Sequence, residues 1–270
     1  MHKKLIRSLA VLLGISKTHA QLLRPGFDKQ EYSNLMKVSP QFGNSSYAAS
    51  IPPPPGYRLL CRSPVMGLDN LWDLWMTEKG VPVISIRGTT TKEISWMANF
   101  YAAMVPAKGE LRLSNTYMFN YQPANNPRAA VRTGWLISTG FLVQDMMPKI
   151  DSLSKAGRNE VLIMGHSQGG AIAFLLTAHL RTLQQQKKIS PGIRFKTYCS
   201  ARPKPGNLYF AHEYEAATQA GWAYNVVNTA GWVPESPVTV QTLDDFNEVN
   251  PFINAKGIIR QQSFFNRLAL

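Results

Sequence analysis

Val161-Leu162-Ile163-Met164-Gly165-His166-Ser167-Gln168-Gly169-Gly170, followed directly by Ala171-Ile172-Ala173-Phe174-Leu175-Leu176, is the stretch on which the fold turns. Four apolar residues suited to a strand run into G-x-S-x-G and then into strong helix formers, the strand-turn-helix context of a nucleophile elbow. The spacing has a steric cause. A serine on so tight a turn needs small neighbours two residues before and after it, and Gly165 and Gly169 supply them. The turn also sets Ser167 ahead of a helix N-terminus, where free N–H groups favour developing negative charge, so the backbone N–H of Gln168 is a candidate oxyanion donor. The plainer alternative is a buried strand and helix joined by an ordinary glycine-rich loop.

Composition supports one sizeable folded domain. In 270 residues, 44% are hydrophobic and only 17% charged, enough apolar material for a core and too little charge for disorder. The net charge is +13; Lys3, Lys4, Arg7 and Lys17 lie in residues 1–20, which hold no acid, so the remaining chain carries +9. Such a surface is drawn to anionic lipid or cell envelope. No arginine-rich run or aromatic nucleic-acid motif is present, and nucleic acid is not an expected partner.

Residues 1–20 combine a basic start, a short apolar run from Leu9 to Ile15 and a small residue at Ala20. They read as a signal peptide cleaved before Gln21, which implies a secreted or periplasmic protein, with an amphipathic N-terminal helix as the alternative. Cys61 and Cys199 sit in apolar, strand-like runs and read as two free buried thiols. No Cys/His spacing suits a metal, and no cofactor is expected.

Residues 21–56 are polar and end in Ile51-Pro52-Pro53-Pro54-Pro55-Gly56, a stiff connector, so the folded domain is expected over 57–270. Strands are expected at Tyr57 to Cys61, Leu71 to Thr77 and Val81 to Arg87. Past a loop-rich region from Val105 to Arg132, a helix over 135–154 leads to the elbow strand. Phe195 to Cys199 is the next strand, Tyr209 to Gln219 a helix, and Ala223 to Asn228 the last strand.

Arg87-Gly88-Thr89-Thr90 at a strand end, the Trp96-bearing segment after it and G-H-S-x-G farther on resemble the class 3, fungal-lipase-like lipases. That resemblance implies an α/β-hydrolase fold, a mostly parallel central sheet flanked by helices and cut short at its C-terminus. It implies a serine hydrolase of carboxylic, acylglycerol-type esters acting through an acyl-enzyme on Ser167. Thr89 would be the second oxyanion donor beside Gln168. Trp96, with Ile94, Met97, Phe100 and Tyr101, would form a short lid that meets a lipid surface, although the same side chains also suit core packing. Val131-Arg132-Thr133-Gly134-Trp135-Leu136 resembles a family segment in which Arg132 replaces the usual, non-catalytic His.

The triad breaks the pattern. Ser, Asp and His are needed in that order, because the imidazole takes the serine proton and the carboxylate steadies the imidazole. The family's acid motif matches Val227-Asn228-Thr229-Ala230-Gly231-Trp232-Val233-Pro234, so Gly231 stands at the acid position without a side chain. Glu235, Asp244 and Asp245 are poor substitutes. His2, His19, His166, His179 and His212 all precede Gly231. His179 lies about 18 Å along the elbow helix from Ser167, and His166 should point away from the nucleophile. The apolar run from Arg260 to Leu270 reads as the end of a shortened chain. An impaired hydrolase is therefore expected, with a non-catalytic lipid- or envelope-binding protein as the alternative.

Overall fold

In a computed structural model, residues 21–43, 46–101 and 103–236 are described; the signal segment, Asp244, Asp245 and the Arg260–Leu270 run lie outside them. In chain order the helices are α1 (Lys29–Val38), α2 (Ser46–Ala49), α3 (Glu93–Phe100), α4 (Thr133–Lys155), α5 (Gln168–Gln185) and α6 (Leu208–Ala217). The main strands are β1 (Tyr57–Arg62), β2 (Trp72–Thr77), β3 (Pro82–Ile86), β8 (Glu160–His166), β9 (Arg194–Ser200) and β10 (Ala223–Val226). Between β3 and β8 the chain adds β4 (Met104–Pro106), β5 (Gly109–Arg112), β6 (Met118–Tyr121) and β7 (Ala130–Arg132).

The six main strands form one sheet in the order β1-β2-β3-β8-β9-β10. β1 and β2 are antiparallel to their neighbours, while β3, β8, β9 and β10 run parallel. The side-chain alternation of a strand separates two cores. Ile84, Ile86, Val161, Ile163, Phe195 and Cys199 pack under α4 and α5. Val83, Leu162, Met164 and Tyr198 face the other way and meet Leu23, Leu35 and Val38. Because both faces are covered, the central strands read as continuous apolar runs rather than alternating ones.

The sequence-based strands and helices agree with the structure to within two or three residues. Two parts were not foreseen. The loop-rich stretch holds two short antiparallel pairs, β4 with β7 and β5 with β6. The polar segment before the prolines contains α1, capped by the Asp28 side chain on the Glu31 N–H at 2.9 Å. Helix α1 is fastened to the sheet by polar contacts as well as by the buried Leu35 and Val38: Lys196 Nζ pairs with Glu31 Oε1 at 2.6 Å, and the Tyr198 hydroxyl donates to the same carboxylate at 2.6 Å. Lys196 is fully buried, so this pair fixes where α1 sits. Cys61 and Cys199 are both free thiols; Cys199 is buried as expected, whereas Cys61, on the edge strand β1, is only half-buried. No described helix is long and apolar enough to cross a membrane.

Candidate active site

Strands β3, β8, β9 and β10 end on the same edge of the sheet, the edge at which parallel α/β sheets bind ligands. Ser167 stands there, between β8 and α5, at φ 55° and ψ −127°. A non-glycine residue in so sparse a region costs about 1–3 kcal/mol and persists only where its surroundings hold it. Here the Ser167 N–H donates to the Ser200 carbonyl at 2.9 Å, and the Ser167 carbonyl accepts from the Gly170 N–H at 2.9 Å. The flanking glycines are enforced by backbone on all sides. A Cβ at Gly165 would run into the Gly169 carbonyl, and one at Gly169 into the carbonyls of Ile86 and Arg87.

The β3 exit loop closes on the elbow. A Cβ on Gly88 would lie 3.0 Å from the His166 carbonyl oxygen and 3.9 Å from Ser167 Cβ, which brings the backbone before Thr89 to the serine. Thr89 is fixed by a relay: Asn99 Nδ2 donates to Thr89 Oγ1 at 2.9 Å, and Trp135 Nε1 donates to Asn99 Oδ1 at 3.1 Å. The buried Gln168 side chain exchanges hydrogen bonds with Ser95, its Nε2 donating to the Ser95 carbonyl at 3.1 Å and its Oε1 accepting from Ser95 Oγ at 3.2 Å. Ser95 Oγ also accepts from the Thr90 N–H at 3.1 Å.

Asp69 braces the same loop, pairing with Arg87 at 3.1 Å and Lys92 at 2.8 Å and accepting from Thr90 Oγ1 at 2.7 Å. Burial alone would raise its carboxyl. The hydrogen bonds from Lys92 and Thr90 and the two cationic charges outweigh that and hold it below its ordinary value.

These contacts orient α3 in an unusual way. Its small and polar positions, Ser95, Ala98 and Asn99, turn inward, while Trp96 is 42%, Met97 60% and Phe100 52% exposed. Trp96 stacks on Phe100 with ring centroids 5.6 Å apart. Core packing, the alternative reading of these side chains, is not what the structure shows.

The rest of the expected site is sparse. After β10, Asn228 closes a turn, its side chain accepting from Ala230 N–H and its carbonyl from Gly231 N–H, both at 2.9 Å. A Cβ at Gly231 would lie 3.1 Å from Asn228 O and 3.8 Å from both Asn228 Cβ and Pro234 Cδ, so it would need a shift of only a few tenths of an ångström, far less than at Gly165. Among the described residues no histidine hydrogen-bonds to the Ser167 side chain. His166 turns its Nδ1 to Ser200 Oγ at 3.1 Å, and burial depresses its pKa. His179 is buried edge-on against Phe119, and His212 sits on α6. Arg132 is buried where the resemblance places a His, and its N–H donates to the Pro205 carbonyl at 2.9 Å.

A largely apolar cleft of about 620 Å³ opens beside the β9–α6 connection; Met104, Phe174 and Phe210 are in its walls and Ser167 is not. Among the described residues, no cluster of three or more His, Cys, Asp or Glu side chains is placed to hold a metal ion.

The family model described as lipase (class 3) matches residues 83–241, more than half of the chain, from β3 past the Gly231 turn. The chain belongs to the class 3 lipase family. Solved lipases share its α/β-hydrolase fold. The triacylglyceride lipase of Rhizomucor miehei superposes with a TM-score of 0.55 at 20% identity, covering 80% of this chain and 77% of that one. A lipase from Rhizopus microsporus var. chinensis gives 0.55 at 21%, over 77% and 68%. The Lip2 lipase of Yarrowia lipolytica gives 0.57 at 16%, over 80% and 77%. No curated protein sequence matches the chain.

Serine, glycines and oxyanion candidates were readable as motifs. Ser95, Asn99 and Ser200, which hold them, were not singled out. The i,i+4 spacing of Ser95 and Asn99 in a mostly apolar helix was the available signal.

Proposed function

We propose that this lipase-family chain is a serine ester hydrolase of lipid esters, with Ser167 as nucleophile and the peptide N–H groups of Thr89 and Gln168 as oxyanion donors. The observation that carries this reading is Ser167 held at positive φ between β8 and α5 by its backbone partners. Its Oγ would attack the ester carbonyl carbon as the carbonyl π pair moves to oxygen. Gln168 opens α5, where first-turn N–H groups lack intrahelical acceptors, so it can donate to that oxyanion. Loss of the ester C–O bond then leaves the acyl group on Ser167 and releases the alcohol, which takes up the serine proton.

Removal of that proton is the weak step. Gly231 offers no carboxylate at the acid position, and His166 is turned to Ser200. Losing triad members in a well-studied serine protease costs about 10⁶ in turnover and leaves roughly 10³–10⁴ over water, so this chain is a slow esterase at best. The outward apolar face of α3, Ile94, Trp96, Met97 and Phe100 with Tyr101 beyond it, is the surface for lipid, and the basic charge of the chain favours an anionic one. The signal-like residues 1–20 support secretion or a periplasmic location.

Fluorophosphonate labelling of the full chain, read by intact mass beside Ser167→Ala and Gly231→Asp, tests the proposal. Slow labelling abolished by Ser167→Ala is expected. No labelling in any version would overturn it and leave a non-catalytic lipid-binding protein. Trp96→Ala with Phe100→Ala should weaken binding to anionic lipid vesicles without changing the labelling rate.

A further inference from the structure

Helix α1 lies outside the residues matched by the family model, yet it reaches the elbow through side chains. The Tyr32 hydroxyl is 2.8 Å from Ser200 Oγ, and Ser200 Oγ is 3.1 Å from His166 Nδ1. The same Ser200 gives its carbonyl to the Ser167 N–H at 2.9 Å. β9 and β8 pair in register at Ser200 and His166, so these are the last rungs of the ladder before the nucleophile. Ser200 is buried, and its single hydroxyl lies within hydrogen-bond distance of both neighbours at once.

α1 is located independently of this contact. Glu31 is tied to Lys196 and Tyr198, the Asp28 N–H donates to the Tyr198 hydroxyl at 3.3 Å, and Leu35 and Val38 are buried on the sheet. The Tyr32 ring is held between Phe27 and Tyr198, with centroids at 5.7 and 5.8 Å. A rigidly placed hydroxyl that reaches the residue beside a strained serine is suited to fix that serine's backbone.

We propose that Tyr32 is a positioning residue of the elbow: through Ser200 it locks the His166 ring and the carbonyl that holds the Ser167 N–H, which makes the N-terminal helix part of the reactive site. The kinetic side of this inference rests on the hydrolase reading; the structural side does not.

Two readouts test it on the full chain. With ¹⁵N-labelled histidine, the His166 Nδ1 resonance, assigned by its loss in His166→Asn, should move in both Tyr32→Phe and Ser200→Ala. The fluorophosphonate labelling rate should fall about tenfold in each, the scale of one well-made hydrogen bond. The double variant should be no slower than either single one, because both cut one chain of contacts. Ser33→Ala alters an exposed position of α1 and should move neither readout. A His166 resonance unchanged in Tyr32→Phe, or labelling losses that simply add, would overturn the proposal. If the unaltered chain is not labelled at all, the hydrolase reading fails, and the His166 resonance alone decides the role of Tyr32.

Discussion

Replacing Gly165 by alanine adds a single methyl group and should be among the most damaging small substitutions in the chain. The added Cβ would lie 2.7 Å from Gly170 N and closer still to the Gly169 carbonyl, where ordinary contact begins near 3.4 Å. A crowded side chain can change rotamer, but these are backbone atoms of the first turn of α5, and moving them also disturbs the Gly170-to-Ser167 hydrogen bond. Overpacking in a well-filled interior costs about 1–3 kcal/mol, and the absence of a yielding neighbour puts this case near 3 kcal/mol. Urea unfolding followed by tryptophan fluorescence is a suitable assay, since Trp72 and Trp135 are buried. The midpoint should fall with an unchanged slope. Gly192→Ala is the control: its Cβ meets only Ser190 Oγ at 3.6 Å, and alanine there should be neutral or stabilising by up to about 1 kcal/mol. A Gly165→Ala protein within about 0.5 kcal/mol of the parent would refute the steric account of the elbow.

Asn99→Ala should slow serine labelling, by freeing Thr89, and cost about 1–3 kcal/mol in the same urea assay, because Trp135 Nε1 loses its acceptor; unaltered labelling would detach Thr89 from the site. Burial, with the Lys188 charge adding to it, pushes the His179 imidazole down to about 4 from an ordinary 6.5. Between those values the unfolded chain binds more protons than the folded one. Stability is therefore full above about pH 6.5 and declines toward pH 4, by roughly 3 kcal/mol at most. His179→Leu should flatten that decline in urea midpoints, and an identical decline in both proteins would count against it.

The central strands and the elbow were legible because each rests on a local rule: apolar runs of strand length, helix formers after a turn, glycines where only glycine fits. For the segment that forms helix α3, the resemblance offered the outward lid face, but the residues alone did not decide between it and core packing. Apolar residues ordinarily mark the buried face, whereas here Ser95 and Asn99 are turned inward to hold Gln168 and Thr89. Strands β4 and β7 span three residues each, too few for a period to show. α1 was hidden for a different reason. Only Leu35 and Val38 are buried along it, and its anchor, Lys196, lies more than 160 positions away in a strand where a lysine reads as exposed. Gly231, by contrast, was plain in the sequence, and the structure adds that its turn is closed by hydrogen bonds to the Asn228 carbonyl and side chain.

The placement of α1 also bears on how the chain can be divided. Cut at the proline run, it would keep every main strand, yet Trp75, Val83, Leu162, Met164 and Tyr198 would lose Leu23, Leu35 and Val38 from above them. That bared patch on the sheet invites self-association. The stretch before the prolines is thus the sheet's own solubilising cover, and a fragment beginning at Tyr57 should aggregate where one beginning at Gln21 stays in solution.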